Sequence, residues 1–248
     1  MPHPNLILCW QSQEGQGTVT RDSSPSGVNG TLTGGPAWVN APRPEAIYSN
    51  NRSSNTLANW NGWVIDYPGT DGVKVESAAT ELFDFSGGGK PFIAAITMQM
   101  AEYPNIGFRS LFSFSAGGAD GWEFEISNAS ALVFYFIGVA GSAPLLRITD
   151  TNPHRLGIAF DGVNTVRGYL DGKFISSFSG MGAGPADSSG GKIAISGTTI
   201  ASGSVWKGKA NNAVVYNFIP SGHIENTDAF MLDEYLYWQG IDGPKEIR

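Results

Sequence analysis

Two Asp-Gly steps ten residues apart, Asp161-Gly162 and Asp171-Gly172, punctuate the stretch HRLGIAFDGVNTVRGYLDGKFISS (154–177). Asp-Gly between alternating apolar residues is the strongest short-range hairpin signal, because glycine takes the positive φ of a tight turn without penalty. The stretch therefore predicts three antiparallel strands, 154–160, 165–170 and 173–179, with the first two paired through the turn at Asp161-Gly162. A chain that holds such a meander in its second half must place it in an antiparallel sheet, and a sheet of this kind needs a second layer to bury its apolar face.

The rest of the chain repeats the pattern. Short apolar runs recur at 5–12, 36–41, 72–77, 81–85, 91–100, 109–115, 121–127, 131–139, 145–150, 192–197 and 209–218, separated by Gly, Asn, Asp and Pro. Many short strands with turn punctuation indicate a sandwich or barrel. Charged residues make up only 15% of the 248, and glycine numbers 33, a balance that suits tight turns rather than long surface helices. Helical periodicity occurs once, in TDAFMLDEYLYWQG (227–240): Met231, Tyr235 and Trp238 share a face, Thr227 or Asp228 caps the start, and Gly240 stops it. Residues 42–71 are polar and aromatic-bearing and read as surface loops with short strands; 180–191 read as a Gly/Ser loop. Composition does not change across either, so the chain reads as one domain, 1–248.

Charge and cysteine narrow the function classes. The net charge is -7 and no basic cluster occurs, which disfavours nucleic acid as a partner. The one cysteine, Cys9 in LILCW, excludes an intrachain disulfide and reads as a buried, inert thiol. The first residues lack the cationic start of a signal peptide, and the longest apolar stretch, ALVFYFIGVAG, is about half a membrane span. Synthesis in a cytoplasm without membrane insertion is the expectation.

Three segments, in order, resemble the laminin-G-like members of the concanavalin A-like lectin/glucanase superfamily. The segment 22–39, which begins at Asp22 and continues as SGVNGTLTGGPAWV from Ser26, is similar to that family's early D-x-S-G-x-N-G-T-L-x-G-x-P-x-W segment. HRLGIAFDGVNTVRGYLDGKFISS (154–177) is similar to its paired D-G hairpins, and WKGKANNAVVYNF (206–218) to its closing strand. In that strand Asn211-Asn212 stand where Ile-Asp is common. The resemblance implies an all-β, two-sheet antiparallel jelly roll with a short C-terminal helix. It leaves function open, since that fold carries lectins, adhesive modules and hydrolases.

Retaining glycoside hydrolysis needs two carboxyls about 5–5.5 Å apart. The nearest candidate is WEFEI, where Glu123 and Glu125 share one face of a strand and Trp122, Phe124 and Ile126 the other. Gly121 and Ser127 stand where further carboxylates would be needed, so the pair reads as the solvated face of an amphipathic strand. No H-E-x-x-H, C-x-x-C, G-x-S-x-G or phosphate-loop motif occurs. No catalytic residue and no cofactor are assigned. The resemblance allows Ca²⁺ through Asp22, Asp120 and Asp150, with turn formation as the commoner use of such aspartates.

Binding remains. In NWNGWVIDY (59–67), Trp60, Trp63 and Tyr67 offer faces to stack on sugar C–H surfaces, while Asn61 and Asp66 address hydroxyls. The alternative is that the indoles plug the edge of the core, a role that suits Trp63 ahead of Val64-Ile65 better than Trp60. The leading expectation is a non-enzymatic virion accessory protein, on the capsid, a head fibre or the tail. It would be homo-oligomeric or lattice-bound and in contact with capsid or tail proteins, surface glycans, or both, with MPHPN (1–5) as an extended tether. A free lectin is the first rival and a glycan-cleaving hydrolase the second.

Overall fold

The computed structural model describes residues 3–41, 62–70, 73–78, 89–102, 107–116, 120–127, 131–137, 142–182, 184, 191–196, 206–220 and 223–238. In chain order the strands are β1 (Leu6–Trp10), β2 (Val19–Thr20), β3 (Gly30–Thr33), β4 (Ala37–Ala41), β5 (Gly62–Pro68), β6 (Lys74–Ala78), β7 (Phe92–Met100) and β8 (Phe108–Ala116). Then come β9 (Asp120–Ser127), β10 (Ala131–Ile137), β11 (Ser142–Arg147), β12 (His154–Phe160), β13 (Thr165–Leu170), β14 (Lys173–Ser179), β15 (Gly191–Ile195) and β16 (Lys207–Tyr216). A 3-10 turn over Ile224–Asn226 leads into the helix α1 (Thr227–Trp238).

The strands form two antiparallel sheets. Sheet A runs β14-β13-β12-β7-β16-β5-β4, with β1 also pairing β16; sheet B runs β11-β10-β9-β8-β15-β6-β3-β2. This is the two-sheet jelly roll with a short C-terminal helix expected from the sequence. Alternation decides which residues meet between the layers. Leu156, Ile158 and Phe160 of β12 join Phe92, Ala94 and Ile96 of β7, and face Phe112, Phe114, Trp122, Phe124 and Phe134 of sheet B. Trp122 sits at the middle, stacked on Phe92 at 5.4 Å and edge-on to Phe112 at 5.2 Å.

The meander forms as read, with β12 paired to β13 and β13 to β14. Its two turns differ. Asp171 and Gly172 both have positive φ, 51° and 74°, so that turn is the tight two-residue kind. The first is a longer loop, in which Asp161 Oδ1 accepts the N–H groups of Val163, Asn164 and Thr165 at 2.7, 2.9 and 3.0 Å.

Residues 62–68, read from the sequence as part of a stretch of surface loops with short strands, form β5, which lies inside sheet A between β16 and β4 rather than on a surface loop. Val64, Ile65 and Tyr67 are buried at 0%, 0% and 1% exposure. Asn61, Gly62 and Asp66 mask the apolar run in one dimension; pairing on both sides is what makes it a strand. The expected strand 81–85 lies outside the described residues.

The outer face of sheet A is covered by α1. Phe230 and Met231 pack on Ile93, Ala95, Ala159, Tyr169, Val214 and Tyr216, with Trp238 alongside. The close approach depends on Gly157, where a Cβ would lie 2.2 Å from Met231 Cε. An ion pair pins the helix at its centre. The Arg155 guanidinium, 1% exposed, grips Glu234, Thr97 Oγ1 and the Asn212 carbonyl, and Glu234 also accepts the Trp238 indole N–H at 2.6 Å. Cys9 lies under the same layer, 3% exposed, and burial pushes its thiol up to about 12.

The N-terminal segment is not an extended tether over residues 3–5. His3 stacks on Phe218 at 4.5 Å and meets Tyr216 and Phe230 edge-on, while the Asn5 carbonyl accepts the Asn217 N–H at 3.1 Å.

Candidate functional site

Where β5, β16 and β7 lie side by side, their register sets one polar row on the outer face of sheet A. Asp66 stands opposite Lys209, and Lys209 opposite Gln99. The neighbours in each strand, Tyr67, Ala210, Met98 and Met100, point the other way into the core. At the end of the sheet this row opens into a groove of about 240 Å³, lined by Asp66, Gln99, Met100, Ala101, Thr151, Gly208 and Lys209. Its charge is mixed: one carboxylate, one ammonium and one amide. The Gln99 amide is oriented by donating to the Thr151 carbonyl at 3.0 Å.

Gly208 forms the floor. Its φ is +152°, and a Cβ there would fall 2.1 Å from the Gln99 carbonyl oxygen and 2.7 Å from the Trp206 ring. Only a residue without a side chain lets β16 lie this close to β7 while Trp206 packs behind it against Tyr67 at 5.5 Å.

The residues singled out from the sequence divide between environments. Asp66 lines the groove. Tyr67 does not reach it: its ring is 1% exposed, in the core between the sheets beside Trp206, and burial raises its hydroxyl well above the ordinary range. Stacking on a surface sugar is closed to it for that reason. Trp63 shares the inward side of β5 with Ile65 and Tyr67, and its half-buried indole covers Gly15, where a Cβ would sit 2.4 Å from the ring. Trp60 and Asn61 lie outside the described residues. Gln99 and Lys209 were not anticipated. The alternation of ITMQM, which puts Gln99 opposite in facing to Met98 and Met100, marks Gln99 as outward, but nothing in the sequence brings it to Asp66.

The aspartates considered for Ca²⁺ are spread out. Asp22 closes a turn, with Oδ1 accepting the N–H groups of Cys9 and Ser24 at 2.9 and 2.8 Å, and Oδ2 accepting the Ser24 hydroxyl and the Val28 N–H, each at 2.8 Å. Asp150 bonds Asn152 N–H and the His154 ring, and Asp120 opens β9. Among the described residues, no three His, Cys, Asp or Glu side chains gather where they could hold a metal ion.

His154 bridges two carboxylates, Asp171 at 2.9 Å and Asp150 at 3.1 Å. Burial alone would lower its pKa, but the two acidic partners outweigh it and raise it.

The Glu123–Glu125 pair departs from expectation. It occupies the outer face of sheet B, as alternation requires, but that face is not solvated here: Glu123 is 0% exposed and Glu125 half-buried. Burial, and then the charge of Glu123, push Glu125 up to about 7. Alternation assigns a residue to a face; what lies over the face is decided elsewhere in the chain.

No protein-family model and no curated protein matches the chain. Solved structures do match in fold. The binding domain of Paraclostridial Mosquitocidal Protein 1 aligns with a TM-score of 0.66 at 12% identity, over 94% of this chain and 52% of that one. A binding domain of botulinum neurotoxin DC, in complex with rat synaptotagmin II, gives 0.65 at 12% identity over 94% and 52%. Botulinum neurotoxin type C, whose cell entry depends on two ganglioside molecules, gives 0.62 at 12% identity over 92% and 51%. The chain therefore spans about half the length of these matched chains, and at this identity the likeness is one of fold.

Proposed function

We propose that the chain is a non-enzymatic recognition module, one laminin-G-like domain over 1–248, that binds a surface glycan in the groove formed by Asp66, Gln99 and Lys209. The observation that carries this reading is the row of a carboxylate, an ammonium and an oriented amide across three adjacent strands. Hydroxyl-rich ligands are addressed by such mixed donors and acceptors, on a rigid backbone that needs little ordering on binding. The fold's likeness to toxin binding domains, one from a toxin whose cell entry depends on gangliosides, supports recognition over catalysis. So does the environment of Glu123 and Glu125, whose face of sheet B gives a substrate no open access to Glu123.

The same reading places the module on a virion, as a capsid, head-fibre or tail-associated accessory protein in several copies, contacting capsid or tail proteins. Its support is compositional: an acidic chain without a basic stripe, and one thiol that requires no oxidising compartment. Glycan-array binding by the wild type, lost in Lys209→Ala and Asp66→Asn while the melting temperature stays within about 2 °C, is the expected result. Removing a charged hydrogen-bonding group from a bound sugar costs about 1.5–3 kcal/mol, roughly tenfold or more in affinity. Binding unchanged in both variants rules the groove out. Absence of the chain from purified particles, by mass spectrometry, rules out the virion setting without touching the groove.

A further inference from the structure

We propose that Glu123 and Glu125 on β9, with the hydroxyl of Ser110 on β8, form a binding site for a hard divalent cation of the calcium class. The site is independent of the groove and lies on the outer face of the other sheet.

Trp122, Phe124 and Ile126 of β9 all belong to the core between the sheets, so Glu123 and Glu125 project together on the far side. Residues two apart in a strand are about 6.7 Å apart along it, a separation that two flexible carboxylates can close around one ion held at 2.3–2.6 Å. The neighbouring strand supplies hydroxyls in register. Ser113 pairs with Glu123, and Ser110 pairs with Glu125. Residues directly opposite in an antiparallel pair share a face with Cβ atoms about 4.5–5.5 Å apart, so the Ser110 side chain stands beside the Glu125 carboxylate.

Ser110 is the observation that points to a ligand. It is 0% exposed, and its Oγ has no hydrogen-bond partner. Buried hydroxyls are almost always satisfied, and one left over beside two carboxylates offers a third oxygen to an ion that seeks oxygen. The donor set is oxygen alone, which selects Ca²⁺-like ions over the softer metals that take imidazole or thiolate. The lysines described on this face are held at another carboxylate: Lys74 and Lys192 lie 2.8 and 3.6 Å from Glu76. Glu76 stands on β6, three strands from β9 in the order β9-β8-β15-β6, or about 14 Å away.

Terbium tests this directly, since Tb³⁺ takes calcium sites and Trp122, next to Glu123 in the strand, can sensitise its luminescence. In protein stripped with chelator, Tb³⁺ should give a saturable signal that Ca²⁺ displaces, and Ca²⁺ should raise the melting temperature. Glu125→Gln should abolish both, Glu123→Gln likewise, and Ser110→Ala should weaken Ca²⁺ about tenfold. Glu125 is the less buried of the two, so its amide variant keeps the test available should Glu123→Gln fail to fold. A wild type without Ca²⁺-displaceable luminescence overturns the site. Luminescence and Ca²⁺-dependent melting retained in Glu125→Gln overturn it too, by placing the ion elsewhere.

Discussion

Asn212 links a backbone irregularity to the anchoring of the helix. It has a φ of 49°, at the bulge where the register of β16 against β7 slips between Asn211 and Val214. Asparagine tolerates this left-handed conformation better than other residues bearing a side chain, and the bulge turns its carbonyl to the Arg155 guanidinium. The Asn-Asn pair that stands where the family resembled in sequence commonly has Ile-Asp is thus part of the helix anchor here. Asn212→Val should cost at least about 2 kcal/mol in denaturant unfolding, while Asn212→Gly should be nearly neutral. Arg155 and Glu234 belong to the same anchor, with side chains 1% and 3% exposed. Removing one partner of such a pair leaves a buried charge, so Glu234→Leu should cost about 3–5 kcal/mol. Adding Arg155→Met should recover most of that loss; no recovery in the double variant would mean that the pair contributes more than the charge it neutralises.

His154 ties the β11–β12 turn, through Asp150, to the tight β13–β14 turn, through Asp171, and the latter turn abuts α1. Its pKa is raised above 6.5 by these carboxylates, so the sign of the linkage follows. The stabilisation is complete below about pH 6.5, where the unfolded ring is protonated too, and is lost as pH rises through the higher folded value. The melting temperature should fall across that window, and His154→Gln should flatten the fall; an equal slope in the variant assigns the dependence to other groups. The seating of α1 on sheet A depends on the absence of a side chain at Gly157. Gly157→Val would drive a branched side chain into Met231, and overpacking of this kind costs typically about 1–3 kcal/mol. A Gly157→Val melting temperature equal to wild type would mean that the helix can lift without loss.

Sheet A carries two unlike regions on its outer face: an apolar centre sealed by α1 and the N-terminal residues, and a polar end that opens into the groove. The N-terminus takes part in the seal. Deleting residues 1–5 removes the His3 stack on Phe218 and the Asn5 carbonyl that receives Asn217 N–H. A loss of roughly 1–2 kcal/mol is expected, which for a domain of this size lowers the melting temperature by about 2–8 °C. A truncated chain that melts like the wild type would return the segment to the role of a free tether. The likeness of the fold to toxin binding domains extends over both sheets, and residue identities are not what carries it.

Most of the strands, the meander, the helix and the all-β architecture were legible in the sequence because each depends on local chemistry, whereas the short β2 and β3 were not among the expected strands. Asp171-Gly172 specifies its turn through φ, and β12 and β9 reveal their inward residues by period two. β5 was legible only as a short strand within a surface stretch, because its place inside the sheet comes from pairing with β16, far along the chain, on one side and β4 on the other. For the same reason Asp66 could be suspected but Lys209 and Gln99 could not be joined to it: register across three strands is a pairing property. Glu123 is the sharpest instance. Its face follows from alternation within seven residues, GWEFEIS, whereas its burial depends on what the rest of the chain lays over that face, and desolvation is a property of the assembled layers.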